Sequence, residues 1–195
     1  MNIFITGFID NNTVNRVLYD IINCPEDEDT IVVYINSIGG EGECDYAIYE
    51  ALRLSGKKII TYAVQDIFSA AITIFLAGEE RYAHNFSAFM IHEPYHDDES
   101  NDKRTVDTYR HTMNELKKST TTYFKLISDR TELTPAKIHA HTKKAKDGDW
   151  FFDTKTAKAL KLVTKIGLPI IPTEIEWEIS FTPENKDKEK DEPKG

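Results

Sequence analysis

Apolar residues along the first half of the chain alternate between a period of two and a period near 3.6, and the switches predict the order of elements. Ile3 to Phe8 alternates as a strand, and Asp10-Asn11-Asn12-Thr13 supplies turn and N-cap chemistry after it. Val14, Val17, Leu18, Ile21 and Ile22 then recur at steps of three and four, the stripe with which a helix buries one face. Ile31 to Ile35 is a continuous β-branched run, as expected of a central strand covered on both faces, and Asn36-Ser37-Ile38-Gly39-Gly40 is expected to end it in a glycine turn. Cys44, Ala47, Ile48, Ala51 and Leu52 give a second helix with Cys44 on its buried face, and Lys58 to Val64 gives the next strand. This β-α-β-α-β order predicts an α/β domain with parallel strands, right-handed crossovers and functional groups at the carboxyl ends of the strands.

The stretch Gln65 to Gly78, QDIFSAAITIFLAG, continues in small and apolar residues that predict a buried helix with Ser69 near its start. Arg81 to Ala83 and Phe86 to Ile91 resume strand composition and lead into Met90-Ile91-His92-Glu93-Pro94. A polar insert follows over 96–103, and its acidic run Asp97-Asp98-Glu99 reads as solvated charge, as do Glu41 and Glu43. Val106, Tyr109, Met113, Leu116, Thr120, Tyr123 and Ile127 form a heptad stripe on one long helix, which serves either core packing or a seam against another subunit. Thr134-Pro135 starts a further helix, whose His139 and His141, two residues apart, do not share a face and are given no metal role. Residues 146–150 form a turn, after which Phe151, Phe152 and a helix from Thr154 to Leu162 return to the core. Residues 1–170 are therefore expected to form one domain. Residues 171–195 are an extension, in which Ile175, Trp177, Ile179 and Phe181 alternate with polar residues and predict a strand over 173–181. The final PENKDKEKDEPKG is too charged to fold alone.

A serine where a strand turns into a helix has its side chain on a sharp bend beside N–H groups that can hold an anion. Ser69 is thus either a helix N-cap or a nucleophile. Isolated, His92 is a satisfied histidine or a general base, Asp149 a turn residue or the acid that orients a histidine, and Gly39-Gly40 a plain turn or a point of close backbone approach.

Composition narrows the field. With 195 residues and 40% hydrophobic content, the chain can bury roughly 70% of its unfolded surface around a single core. A net charge of −9 repels phosphate backbones, so nucleic acid is not an expected partner. Cys24 and Cys44 have no metal-binding or disulfide spacing. The N-terminus lacks the pattern of a signal peptide and no apolar run reaches membrane-spanning length, so a soluble, cytoplasmic protein without membrane partners is expected.

Taken in order, INSIGG at 35–40, FSAA at 68–71, MIHEP at 90–94 and GDWF at 148–151 resemble the Clp-type serine peptidase family, the proteolytic subunits of Clp proteases. The resemblance runs from about Ile3 to about Ile170. It implies a crotonase-like α/β fold with repeated β-α-β units and a long handle helix, and a Ser69, His92 and Asp149 triad, with the N–H groups of Gly40 and Ala70 as oxyanion donors. Substrates would be unfolded polypeptides lying extended beside the segments after Gly40 and after Pro94, touching Gly39, Glu41 and Tyr95. Two heptameric rings would stack around a closed chamber, and no metal or organic cofactor is needed. The chemistry agrees: a serine hydroxyl needs an imidazole to take its proton and a carboxylate to hold that imidazole's tautomer. Some residues depart from the family pattern. The chain starts at the first strand without the usual axial segment, which leaves coupling to an ATP-dependent unfoldase open. Ile38 stands where proline is usual, Gly148 where a basic residue is common, and Phe68 and Glu93-Pro94-Tyr95-His96 replace small residues and predict a narrower groove. Alternatives are a ring-forming scaffold or regulatory subunit with an idle triad, a dedicated phage capsid-maturation peptidase, and a crotonase-type acyl-CoA enzyme. The last leaves the three triad positions unexplained together.

Overall fold

A computed structural model describes residues 1–95 and 105–169. The acidic run Asp97-Asp98-Glu99, the strand expected over 173–181 and the charged tail lie outside the described residues.

The strands are β1 (Asn2–Ile9), β2 (Thr30–Gly40), β3 (Lys58–Phe68), β4 (Glu80–Ala83), β5 (Ala88–Ile91), β6 (Trp150–Asp153) and β7 (Lys165–Ile166). They interleave with α1 (Asn11–Ile22), α2 (Gly42–Leu54), α3 (Ala70–Phe75), α4 (Val106–Arg130), α5 (Pro135–Lys144) and α6 (Thr154–Ala159). The path β1-β2-β3-β4-β7 is parallel throughout. β3 forks: Ile60 to Ala63 pair with β4, whereas Asp66 to Phe68 pair with β5, which runs antiparallel to β6. The fork delivers the ends of β2, β3 and β5 to one place.

The core lies on one side of the sheet. Ile3, Ile5 and Ile9 of β1, Ile31, Val33 and Ile35 of β2, and Ile59, Ala63 and Ile67 of β3 pack with Val17, Ile48 and Leu52 of the first two helices. On the opposite face, Phe4 stacks on Tyr34 with 5.0 Å between ring centroids, and Tyr62 meets Tyr34 edge-on at 5.8 Å. Phe4, on the edge strand β1, remains 58% exposed, whereas Val32 on that face of β2 is buried and Tyr34 half-buried, in keeping with the central strand that the apolar run at Ile31 to Ile35 predicts.

Several expectations change. INSIGG is strand rather than glycine turn, because β1 pairs alongside it as far as Ile9 opposite Gly40. Gly40 is glycine for proximity: a Cβ there would lie 2.0 Å from the Ile9 carbonyl oxygen. Gln65 to Phe68 extend β3 rather than opening a helix, since β2 and β5 supply hydrogen-bonding edges on either side. Ile22 and Phe86 are exposed rather than core, and Phe151 faces outward because the period of two in β6 turns Trp150 and Phe152 to the other side. The helix expected from Thr154 to Leu162 stops at Ala159, although Leu162 itself is fully buried. α4 divides: Tyr123, Phe124 and Ile127 join the core, while Val106, Tyr109 and Met113 stand exposed on the same stripe.

Candidate active site

Ser69 links β3 to α3 with φ 53° and ψ −122°, a region where a non-glycine residue costs about 1–3 kcal/mol. Ile72, Ile74 and Phe75, all fully buried on the short helix that follows, each contribute about 1.5–3 kcal/mol and outweigh that strain. The backbone is held on both sides of the bend. The Ser69 N–H donates to Met90 O at 2.9 Å, and its carbonyl accepts from the Ile72 N–H at 2.9 Å and the Tyr123 hydroxyl at 3.1 Å. Ser69 occupies the N-cap position of α3, yet its side chain makes no capping hydrogen bond. Its Oγ lies instead 2.5 Å from His92 Nε2.

His92 directly follows β5, and Asp149 lies between a short 3₁₀ turn (Lys146–Gly148) and β6. Because Ile91 pairs with Trp150 in that antiparallel ladder, His92 and Asp149 fall at the next pair along. His92 Nδ1 is 3.5 Å from Asp149 Oδ1. A proton on Nδ1, facing the carboxylate, leaves Nε2 free to accept from the serine hydroxyl. Burial lowers the His92 pKa from its usual 6.5, and the Asp149 charge opposes that shift in part. α5 touches the neighbours of both groups: His139 Nδ1 is 2.6 Å from Glu93 Oε1, and the His141 ring lies flat against Trp150 at 4.0 Å. The two α5 histidines thus point to different partners, as their spacing requires.

The backbone opposite Ser69 comes from the end of β2. Gly39 has φ +101°, and a Cβ on it would lie 2.7 Å from Ser69 Cβ and 2.9 Å from Phe68 O. Its N–H is taken by Ser37 Oγ at 3.1 Å, which in turn donates to Gly7 O at 2.6 Å. Ile9 O accepts from the Glu41 N–H at 2.9 Å, so in this parallel ladder the Gly40 amide turns away from β1, toward the side occupied by β3 and Ser69. The Ala70 N–H opens α3, where no earlier turn of helix supplies it an acceptor. Two amides, a hydroxyl, an imidazole and a carboxylate therefore meet at the carboxyl ends of β2, β3 and β5. A family model described as Clp protease matches residues 1–168.

The chain belongs to the Clp protease family. It is similar to ATP-dependent Clp protease proteolytic subunit 2 of Borreliella burgdorferi, 31% identical over 141 residues that cover 70% of this chain and 66% of that protein. The chain thus spans just under two thirds of that relative's length. It is also similar to the subunit of the same description from Pseudomonas aeruginosa, 27% identical over 167 residues, covering 84% of this chain and 79% of the other. Among solved structures, a mutant of ClpP1 from Listeria monocytogenes shares the fold with a TM-score of 0.73 over 85% of this chain and 90% of its own, at 22% identity.

In this Clp protease family chain Ser69, His92, Asp149, Gly39, Gly40, Ala70, Glu41 and Tyr95 all line one cleft of about 1440 Å³, whereas Phe68, expected to narrow the groove, is not among its lining residues. Glu41 sits at the N-cap position of α2 without a capping bond. Tyr95 is exposed on the rim, its ring edge-on to His92 at 5.4 Å. Phe68 packs edge-on against Phe151 at 5.4 Å. Two cleft residues escape the sequence reading, whereas Glu93, expected beside the groove, does line it. Tyr123 looks like one more apolar position in the α4 heptad. Asp45 is a charged residue inside the apolar stripe of α2, a signal that could have been noticed.

Proposed function

We propose that the chain is a serine peptidase that hydrolyses unfolded polypeptides inside an oligomeric chamber. The observation that carries this reading is the 2.5 Å contact between Ser69 Oγ and His92 Nε2, with Asp149 behind the imidazole. In this mechanism His92 takes the hydroxyl proton as Ser69 Oγ bonds to the scissile carbonyl carbon. The N–H groups of Gly40 and Ala70 stabilise the oxyanion, a contribution typically worth ~10²–10³ in rate per donor. His92 then protonates the leaving amine, the C–N bond breaks, and a water activated by the same imidazole hydrolyses the acyl-enzyme. Asp149 holds the Nδ1–H tautomer and stabilises the imidazolium. The polypeptide would lie extended along Gly39, Glu41 and Tyr95.

For assembly we propose stacked heptameric rings. The exposed apolar stripe Val106, Tyr109 and Met113 on α4 supports a helix-on-helix contact between subunits. No described helix is long and apolar enough to cross a membrane. The cytoplasm is the proposed location, and the description of its relatives as subunits of an ATP-dependent protease keeps an ATP-driven partner open.

A second reading, a ring-forming scaffold with an idle triad, is favoured by the 3.5 Å between His92 and Asp149, longer than a hydrogen bond. Hydrolysis of fluorescently labelled, unfolded casein by the full chain, measured together with assembly mass, separates the two. Peptidase activity that disappears in Ser69→Ala supports the first, and a ring of full size that never cleaves supports the second.

A further inference from the structure

Asp45 is an acid in the wrong place for a core. It is 2% exposed on the first turns of α2, and its carboxylate accepts from the Tyr46 N–H at 2.7 Å. Among the described residues no lysine, arginine or histidine pairs with it. The Thr73 hydroxyl faces the Asp45 carboxylate and partly offsets the effect of burial, while the Tyr46 hydroxyl is buried without a hydrogen-bond partner among the described residues. A buried carboxylate lacking a cation is strongly unfavourable, so a fold that keeps one keeps it against a cost. Burial pushes its pKa up to about 7.

The position of this acid links it to the site. Asp45 and Tyr46 line the same cleft as Ser69, and Tyr123, whose hydroxyl reaches the Ser69 carbonyl, feels the charge of Asp45 as well as its own burial. Gly42 lies one turn before Asp45 on the same face of α2 and only two residues beyond Gly40, and a Cβ there would meet nothing within 4 Å. Open space adjoins Gly42, and Gly42 and Asp45 line the same cleft. The cleft wall as a whole is negative, with Glu41, Glu43, Glu93 and Glu115 against Lys143 and His111. Such a field concentrates cationic chains near the mouth.

We propose that Asp45 determines specificity, and that the enzyme cleaves after lysine or arginine, whose side chain passes Gly42 and pairs with the Asp45 carboxylate. This rests on the peptidase reading above and adds its substrate class. The entering cation supplies a counter-ion that no described residue provides and restores the charged form of the acid. The unpartnered Tyr46 hydroxyl offers a further acceptor to the bound ammonium or guanidinium group.

The test uses the full-length assembled protein at pH 8 and blocked tripeptide aminomethylcoumarins with Lys, Arg, Leu or Glu before the scissile bond. Lysine or arginine should exceed leucine in kcat/KM by at least about tenfold, the scale of a buried charge-assisted hydrogen bond, with the glutamate peptide the poorest. In Asp45→Asn the lysine-to-leucine ratio should fall by about tenfold or more. Gly42→Val, which fills the entrance without touching the acid, should lower the same ratio and serves if Asp45→Asn does not fold. A preference for leucine in the wild type, or an unchanged ratio in a folded variant, overturns the proposal while leaving the peptidase reading intact. Absence of all cleavage, with Ser69 unreactive toward a fluorophosphonate, sinks the peptidase reading and this inference with it.

Discussion

The Tyr123 hydroxyl of α4 donates to the carbonyl oxygen of Ser69 across 3.1 Å. That carbonyl and the Ala70 N–H belong to one planar peptide unit, so fixing the first aims the second. Tyr123 is therefore a positioning residue for the proposed oxyanion donor, acting from a helix more than fifty residues downstream. Tyr123→Phe keeps the buried ring and removes only the hydroxyl. It should lower kcat about tenfold with little change in KM, as expected for losing one hydrogen bond worth about 1–1.5 kcal/mol in the transition state. Steady-state kinetics on a tripeptide substrate checks the split, and an equal effect on KM would assign Tyr123 to substrate binding instead.

The electrostatics of His92 predict a pH profile. Burial lowers its pKa below the ordinary 6.5, so the neutral imidazole persists to lower pH and the acid limb of kcat/KM should have its midpoint below that value. Asp149 pushes in the opposite direction, so Asp149→Asn should move the limb further toward acid. The same change should reduce turnover by as much as ~10⁴ if the tautomer is lost, the magnitude known from another triad. A limb that moves toward neutral pH in the variant would contradict this assignment.

Asp45 predicts an unusual stability profile. Its folded pKa, about 7, lies above the unfolded value near 3.8, so the folded state holds an extra proton between them. This contribution to stability is fully present below about pH 4 and is lost as pH rises toward 7. Asp45→Asn removes the titration. The variant should melt above the wild type at pH 8, and the gap should shrink as pH falls through 7. Calorimetry at matched pH values checks it, and a constant gap would show that the acid is not buried as described.

The α5 contacts predict a milder effect. Glu93 and His139 are both nearly half exposed, so their 2.6 Å pair is screened and is expected to matter for placement more than for stability. Glu93→Gln and His139→Gln should each lower kcat by about two- to fivefold, and the double variant should be no worse than either single one. Fully additive losses would show that the two residues act independently.

Much of the fold was legible because burial imposes period on sequence. The helix stripes of α1 and α2 mark their core faces, apart from the exposed Ile22, and the β-branched run of β2 marks a central strand. The ends of the elements were not legible. Gly39-Gly40 has the composition of a turn, and only the pairing of β1 makes it strand; likewise Gln65 to Phe68 needs β5 to be read as strand. The proposed triad and amides were found through ordered motifs, since nothing local distinguishes Ser69 from a cap. Tyr123 stayed hidden because its importance comes from where other elements bring it, and Asp45, although a charge within the apolar stripe of α2, showed nothing of its place in the cleft. A tyrosine in a heptad and an aspartate in a first helical turn are ordinary until a carbonyl or an empty space is placed opposite.

Peptide hydrolysis at this cleft requires Ser69 to be an activated nucleophile. Incubating the assembled wild type with a fluorophosphonate and mapping the adduct by peptide mass spectrometry addresses that directly. The label should fall on Ser69 alone, be absent in Ser69→Ala, and form far more slowly in His92→Ala. Equal labelling of all three proteins, or an adduct at another residue, would contradict it.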